Sequence, residues 1–120
     1  MSKPVRILTT GGRNFNDRDF IFRTMDSCVP YFADYFCVAN GWAHGADKGV
    51  QDWLRERGYP GCFFPPLWEY YGLSAGHRRN AWMFDFFLPE VVIAFPGGPG
   101  TAGTVEIANS RGIPVYNVTV

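Results

Sequence analysis

Short apolar runs alternate with helix-compatible stretches along the whole chain, and three of the junctions between them are rich in glycine. Strand-like runs occupy about residues 5–10, 36–40, 62–64, 91–95 and 114–118, and helix-compatible stretches occupy about residues 16–29, 46–57, 74–87 and 101–110. Strands that alternate with helices form parallel sheets, because each helix carries the chain back across one face. The sequence therefore predicts an α/β, Rossmann-like three-layer sandwich with a mainly parallel sheet of about five strands and helices on both faces.

Several boundaries follow from residue type. Proline lacks the N–H that a helix needs, so Pro30 is expected to end the first helix. Gly58 is expected to cap the second helix at its carboxyl end. The aromatic stretch that runs from Pro65 to Gly72 is expected to be a loop, and Thr101 is expected to cap the last helix at its start.

The chain has 120 residues, which is close to the commonest size of one domain. We therefore expect a single domain over residues 1–120. The three cysteines, Cys28, Cys37 and Cys62, form no CxxC pair, and their odd number argues against a disulfide framework. Free thiols in a reducing compartment indicate a cytoplasmic protein.

Composition excludes several partners. Eleven basic residues balance eleven acidic ones, so no broad positive field attracts a nucleic acid. No apolar run approaches the roughly 20 residues that a membrane helix needs, and the first ten residues show no signal peptide. We expect neither nucleic acid nor membrane as a partner.

The three glycine-rich loops are the predicted binding site. They cover residues 11–15, 41–45 and 96–101, and each leaves the carboxyl end of a predicted strand and enters a helix. Ligands bind at that edge of an open parallel sheet. Glycine lets backbone N–H groups approach an anion closely, and a helix start adds unpaired N–H groups and a positive dipole end. The pattern predicts a phosphate-bearing ligand.

Other sites lack their motifs. The last loop has no lysine for a Walker-type triphosphate site, and residues 11–13 do not complete the GxGxxG of a dehydrogenase. His44 and His77 stand at no metal-ligand spacing, so we predict no metal and no cofactor and assign both to loop or surface positions. No nucleophile elbow is present for a Ser-His-Asp hydrolase.

Three arginines are the cations that best suit a phosphate. Arg13 lies in the first loop, and Arg78 and Arg79 lie near the start of the third predicted helix. A guanidinium donates to two oxygens at once. For Arg13 and Arg79 we favour a ligand-binding role over that of an ordinary surface cation. For Arg78 the sequence favours neither role.

Three carboxylates lie in or near the same segments. Asp47 can bond ribose hydroxyls or cap the second helix, and the sequence leaves both open. Glu69, in the aromatic stretch, and Glu106, in the last helix, are the acids nearest to the predicted site. A solvent-exposed acid is the alternative for each.

Four segments together resemble a known family. Residues 11–15, 41–47, 75–80 with Met83, and 95–101 are similar to the motifs of the SLOG superfamily of Rossmann-like proteins, in its YspA/YpsA-related branch. The resemblance covers nearly the whole chain. It implies a nucleotide-binding fold for nucleoside monophosphates or for NAD-like and ADP-ribose-like ligands.

The LOG phosphoribohydrolases of that superfamily use an arginine before a downstream methionine and a glutamate in PGGxGTxxE. Arg79 with Met83 matches the first element, and residues 96–101 match PGGxGT. Thr104 stands where the pattern has its glutamate, and Glu106 follows about 200° further round a helix. The resemblance therefore implies binding and puts glycosidic cleavage in doubt.

The leading hypothesis is a nucleotide-binding module. A phosphoribohydrolase that takes its acid from Glu69 or Glu106, beside Arg79, is the first alternative, and a non-catalytic interaction protein is the second. The predicted ligand-binding residues are Gly11, Gly12, Arg13, Gly41, Gly45, Asp47, Arg78, Asn80, Pro96, Gly97, Gly98, Gly100 and Thr101. A homodimer is expected, partly because the family resemblance implies one and partly because more aromatic surface is present than one small core hides, from Trp68, Tyr70, Trp82, Phe86 and Phe87.

Overall fold

A computed structural model describes residues 3–32 and 34–119, with the backbone alone for residues 31, 32 and 73. The strands are β1 (Val5–Thr10), β2 (Phe36–Asn40), β3 (Gly61–Phe63), β4 (Val91–Ala94) and β5 (Val115–Asn117). The helices are α1 (Arg18–Phe32), α2 (Ala46–Arg57), α3 (Trp68–Tyr71), α4 (Ala75–Trp82) and α5 (Pro99–Ser110). The expected domain over 1–120 includes residues 1, 2, 33 and 120, which lie outside the described part.

The five strands form one sheet in the order β3-β2-β1-β4-β5, and every neighbouring pair is parallel. This confirms the predicted α/β, Rossmann-like class. Strands β2 and β3 are added on one side of β1, and β4 and β5 are then added on its other side. Such a reversal leaves a crevice beyond the carboxyl ends of β1 and β4, where ligands of open α/β sheets bind.

Helices cover both faces of the sheet. On one face α1 and α2 pack on the strands, and the side chains Ile21, Met25 and Val29 recur every four residues and are fully buried. That spacing places them on one side of a helix. On the other face Phe84 and Ala108 pack against Leu8 and Val92 of the sheet.

Some predicted boundaries are wrong. Helix α1 continues past Pro30 to Phe32, so the proline lies inside the last turn and removes one i→i−4 hydrogen bond there without ending the helix. The aromatic stretch contains a short helix, α3, rather than a loop throughout. Helix α4 is followed by a π-helical turn over Met83–Phe87. Gly98, not Thr101, is at the N-cap of α5.

Other boundaries are confirmed. β1, β2 and α2 have the predicted limits, and Gly58 ends α2 in the left-handed conformation at φ 72°. No helix of the described residues has both the length and the apolar character needed to cross a bilayer.

Candidate functional site

A cavity of about 780 Å³ opens at the carboxyl edge of the sheet. Its walls are the loops after β1, β2 and β4 together with the starts of α4 and α5. The lining residues are Thr9, Thr10, Gly11, Gly12, Arg13, Asn14, Phe15, Gly41, Ala43, Asp47, Gly76, His77, Arg79, Asn80, Met83, Pro96, Gly97, Gly98, Pro99, Gly100, Thr101 and Thr104. The cavity therefore lies at the crevice that the strand order creates.

Backbone hydrogen bonds hold the three glycine-rich loops together. Gly12 N donates to the Pro96 carbonyl at 2.8 Å, which joins the loops after β1 and β4. Ala46 N donates to the Gly12 carbonyl at 3.1 Å, which joins the start of α2 to the first loop. The first N–H of α2 is thus used within the protein, whereas it was expected to face an anion.

Gly45 makes this close approach possible. It has φ +73°, and a Cβ there would overlap the backbone of Gly12 and Arg13. A side chain at this position would therefore meet both a left-handed backbone penalty and a rigid wall. Gly45 does not line the cavity, so its contribution to the site is to let two loops touch.

Buried Asn40 shapes the second loop. Its Oδ1 accepts from Trp42 N at 3.1 Å and from Gln51 Nε2 at 3.4 Å, and its Nδ2 donates to the Asp47 carbonyl at 3.1 Å. These bonds fix the turn that carries Trp42 at φ 58°. The side chain was not predicted as a site residue, although its place at the end of β2 is a signal for it.

Asp47 presents the carboxylate of the cavity wall. It is 6% exposed, and its Oδ2 accepts from Ala43 N at 3.2 Å. Burial raises its pKa to about 6, and the amides of Ala43 and Gly41 and the charge of Arg79 oppose that rise. The carboxylate bonds the loop before its helix, so it does not act as an N-cap for α2.

Arg79 is the buried cation of the site. Its Nη1 donates to the Gly41 carbonyl, and its Nε donates to Asn80 Oδ1 at 2.8 Å. Burial lowers its pKa, and the nearby Arg13 adds to that effect while Asp47 opposes it. Two of its nitrogens therefore hold α4 to the second loop, and the guanidinium still borders the cavity.

The start of α5 forms the opposite wall. Gly98 occupies the N-cap and makes no side-chain cap, and Pro99 follows it in the first turn. The exposed residues 97–100 leave this helix end open to the cavity. Thr104, one turn further on, donates from its hydroxyl to the Gly100 carbonyl at 3.2 Å.

Most predicted residues come together at the cavity. The structure collects there Gly11, Gly12, Arg13, Gly41, Asp47, Arg79, Asn80, Pro96, Gly97, Gly98, Gly100 and Thr101. Arg78, Glu69 and Glu106 are exposed and lie outside the lining. The Arg78 guanidinium packs over the Tyr71 ring at 4.3 Å instead.

Sequence reasoning missed part of the lining. The lining residues Asn14, Phe15, Ala43 and Pro99 fall within the predicted loops, and Gly76, His77 and Met83 within the family motifs, although none was predicted individually. Thr9, Thr10 and Thr104 lie outside the predicted loops and were missed. The sequence pattern could have predicted Thr9 and Thr10, because they end a strand that is followed directly by a glycine-rich loop. His77 was assigned to the surface, and the structure places it both exposed and at the cavity.

The lining combines two arginines with one carboxylate, which favours an anion over a cation. Within residues 3–32 and 34–119, no group of three or more His, Cys, Asp or Glu side chains is placed to hold a metal ion. The chemistry at hand is backbone N–H donation, guanidinium binding and one buried carboxyl.

Comparison with known proteins shows the family of the chain. The family model of the YspA, cpYpsA-related SLOG family matches residues 5–71, which includes the first two loops. The chain belongs to this SLOG family. The SLOG chain is also 32% identical over 121 residues to the Gene 61 protein of Mycobacterium phage D29, covering 93% of this chain and 94% of that protein.

A solved structure shares the fold of this SLOG protein. It is the structure of the Moco Carrier Protein from Chlamydomonas reinhardtii, with a TM-score of 0.66 and 14% sequence identity. The match covers 97% of this chain and 76% of the other. At that identity the likeness shows a common Rossmann-like fold.

Proposed function

We propose that this SLOG protein binds a nucleotide or nucleotide-derived ligand, such as a nucleoside monophosphate or an NAD-like or ADP-ribose-like molecule, in the cavity at the carboxyl edge of the sheet. The observation that carries the proposal is the joining of the first and last glycine-rich loops beside the open start of α5. The ligand's phosphate would lie against residues 96–101, with Arg13 and Arg79 as its cations.

The uncapped start of α5 supports a phosphate at this end. The first N–H groups of a helix need acceptors, and Gly98 offers no side chain to supply one. A phosphate oxygen satisfies these groups and also meets the positive end of the helix dipole. Thr101 lines the cavity from the same turn and would donate its hydroxyl.

The size and polarity of the cavity support the rest of a nucleotide. A volume of about 780 Å³ lies within the usual range of small-molecule sites. Asp47 on α2 and Asn80 on α4 also line the cavity, and their polar atoms would bind the ribose hydroxyls. The shared fold with a Moco carrier protein adds a precedent for a small molecule bound by this kind of domain.

Small molecules released from the purified protein would be identified by mass spectrometry, and affinities for nucleoside monophosphates, NAD and ADP-ribose would be measured by calorimetry. We expect one of these to bind, and to bind at least about tenfold more weakly to Arg13→Ala, since a charge-assisted contact is lost. Absence of binding to every nucleotide would overturn the proposal and favour the interaction-protein alternative.

A hydrolase that releases the base is the second candidate, and Asp47 is the observation that favours it. Glu69 and Glu106 lie outside the lining, whereas the Asp47 carboxyl borders the cavity with a pKa of about 6, a value suited to proton transfer near neutral pH. Chromatography of each monophosphate after incubation would detect free base. Release that is lost in Asp47→Asn would make the protein an enzyme.

We also propose a cytoplasmic homodimer. Cys28, Cys37 and Cys62 are free, which fits a reducing compartment. Phe86 is 74% exposed and Tyr70 80% exposed, and such aromatic surface suits a subunit contact, although Phe87 belongs to the core. Sedimentation of the wild type and of Phe86→Ser should give a dimer and a monomer, and a monomeric wild type would contradict this proposal.

A further inference from the structure

Trp68 lies at the rim of the cavity, between the first loop and α4. The Arg13 guanidinium carbon is 5.8 Å from the centre of its ring. A Cβ built on Gly76 would be 3.7 Å from Trp68 Cη2 at the edge of the ring. Because Arg13 and Gly76 both line the cavity, the indole borders it without being one of its lining residues.

The edge of the indole lies close to α4. A Cβ on Gly76 would be 3.7 Å from Trp68 Cη2, which is ordinary van der Waals contact, so the space between the helix and the ring edge holds no more than a methyl group. A planar ring that extends from the cavity would therefore stack on the solvent-exposed part of the indole, since Trp68 is 45% exposed.

The exposure of Trp68 is unlike that of a core tryptophan. Trp68 is 45% exposed, whereas Trp53 is 1% exposed and donates from its ring nitrogen to Asp26. A single exposed aromatic side chain is ordinary on a protein surface, but Trp68 stands beside Arg13 and Gly76, which both line the cavity. The Arg13 guanidinium lies over one face of the indole, where the ring's negative face holds a cation, so a base would stack on the other face.

We propose that Trp68 is the stacking surface for the planar base of the ligand and that it selects nucleotides over sugar phosphates. The inference rests on the proposed function, because it assumes a phosphate end at α5 and a base end at the rim. Base–aromatic stacking tolerates any base, so the same contact would serve a panel of nucleotides. Trp68 would then set the class of ligand, and other side chains would read the identity of the base.

The test compares two probes that differ by the base alone. Affinities for AMP and for ribose 5-phosphate would be measured by calorimetry in the wild type, Trp68→Ala and Trp68→Phe, with the other three monophosphates run against the same proteins. We expect Trp68→Ala to lower AMP affinity about tenfold or more and to leave ribose 5-phosphate within about twofold, because stacking involves the base only. Trp68→Phe should retain most of the AMP affinity.

Tyr35→Ala is the matched control. Tyr35 is 59% exposed and directly precedes β2, so it lies at the amino edge of the sheet and outside the cavity lining. This variant should bind both probes as the wild type does. Circular dichroism of each variant would establish that the fold is kept.

The outcomes separate this inference from the proposed function. Equal losses for AMP and ribose 5-phosphate in Trp68→Ala would overturn stacking and show that the indole acts through Arg13 or the fold. Unchanged affinity for both probes would overturn it as well, while nucleotide binding would stand. A wild type that binds neither monophosphates nor ribose 5-phosphate would overturn both proposals.

Discussion

Arg79 donates from Nη1 to the carbonyl oxygen of Gly41, and this bond joins helix α4 to the loop between β2 and α2. The guanidinium occupies the space that any side chain on Gly41 would fill. The cation proposed to bind the ligand is thus also a structural link between two walls of the cavity. Binding and local order are coupled at this residue, and its neighbour Arg78 has no such contact.

Arg79 and Arg78 are adjacent in sequence and should differ in effect. We expect Arg79→Ala to weaken nucleotide binding at least about tenfold, because a charge-assisted contact is lost. Arg79→Lys should recover only part of this, since an ammonium lacks the planar fork. Arg78→Ala should bind normally, as Arg78 points to Ser74 and Tyr71. Calorimetry checks all three, and an equal loss in Arg78→Ala would contradict the placement.

Gly45 and Gly58 form a matched pair for testing loop contact. Both have φ near +72°, but a Cβ on Gly45 would meet the backbone of Arg13 and Gly12, while one on Gly58 would meet nothing within 4 Å. Gly58→Ala should lower the free energy of unfolding by about 1 kcal/mol, the backbone penalty alone. Gly45→Ala should lower it by about 3 kcal/mol or more. Urea denaturation measures both, and similar losses would show that the loops are not in contact.

The Asp47 carboxyl should make stability fall as pH rises. Its pKa is about 6 in the folded protein against an ordinary value of 3.8, so between these values the folded state binds more protons than the unfolded state. The free energy of unfolding should therefore decrease from pH 4 to pH 7, by about 2 kcal/mol for this group. Asp47→Asn should remove that decrease.

Asp26 is the control, because its effect on the pH dependence of the free energy of unfolding has the opposite sign. Hydrogen bonds from Arg57 and Trp53 lower its pKa, so its contribution is present above pH 4 and is lost on acidification. Urea denaturation at several pH values, compared between each asparagine variant and the wild type, should give slopes of opposite sign. An Asp47→Asn protein with the wild-type slope would refute the burial of that charge.

The Thr9 hydroxyl should be destabilising in the free protein. Thr9 is 1% exposed and lines the cavity, and its Oγ1 has no hydrogen-bond partner in the described part of the chain. Thr9→Val keeps the shape and removes the unpaired group, so it should raise the free energy of unfolding by about 1–3 kcal/mol. Thr104→Val removes a hydroxyl that bonds Gly100 and should instead lower it by about 1 kcal/mol. A loss in Thr9→Val on chemical denaturation would reveal a partner for the hydroxyl, such as a buried water.

The sequence by itself determined the order of strands and helices and the edge at which the loops meet. Residues 91–95 are a short apolar run, and residues 5–10 are rich in β-branched residues; both are too short for helices and are followed directly by glycine-rich turns. Parallel strands then bring their carboxyl ends to one edge, whatever the details of packing. The family motifs include the same loops, because the loops need glycine at fixed positions.

Only the tertiary structure decided which side chains border the cavity. Arg78 and Arg79 differ by about 100° of helix rotation, and the packing of α4 on the sheet selects the second. The burial of Asp47, the unpaired hydroxyl of Thr9 and the place of Trp68 beside Gly76 depend on residues far apart in the chain. Local sequence patterns do not predict such contacts, because the contacts arise from the way the helices pack on the sheet.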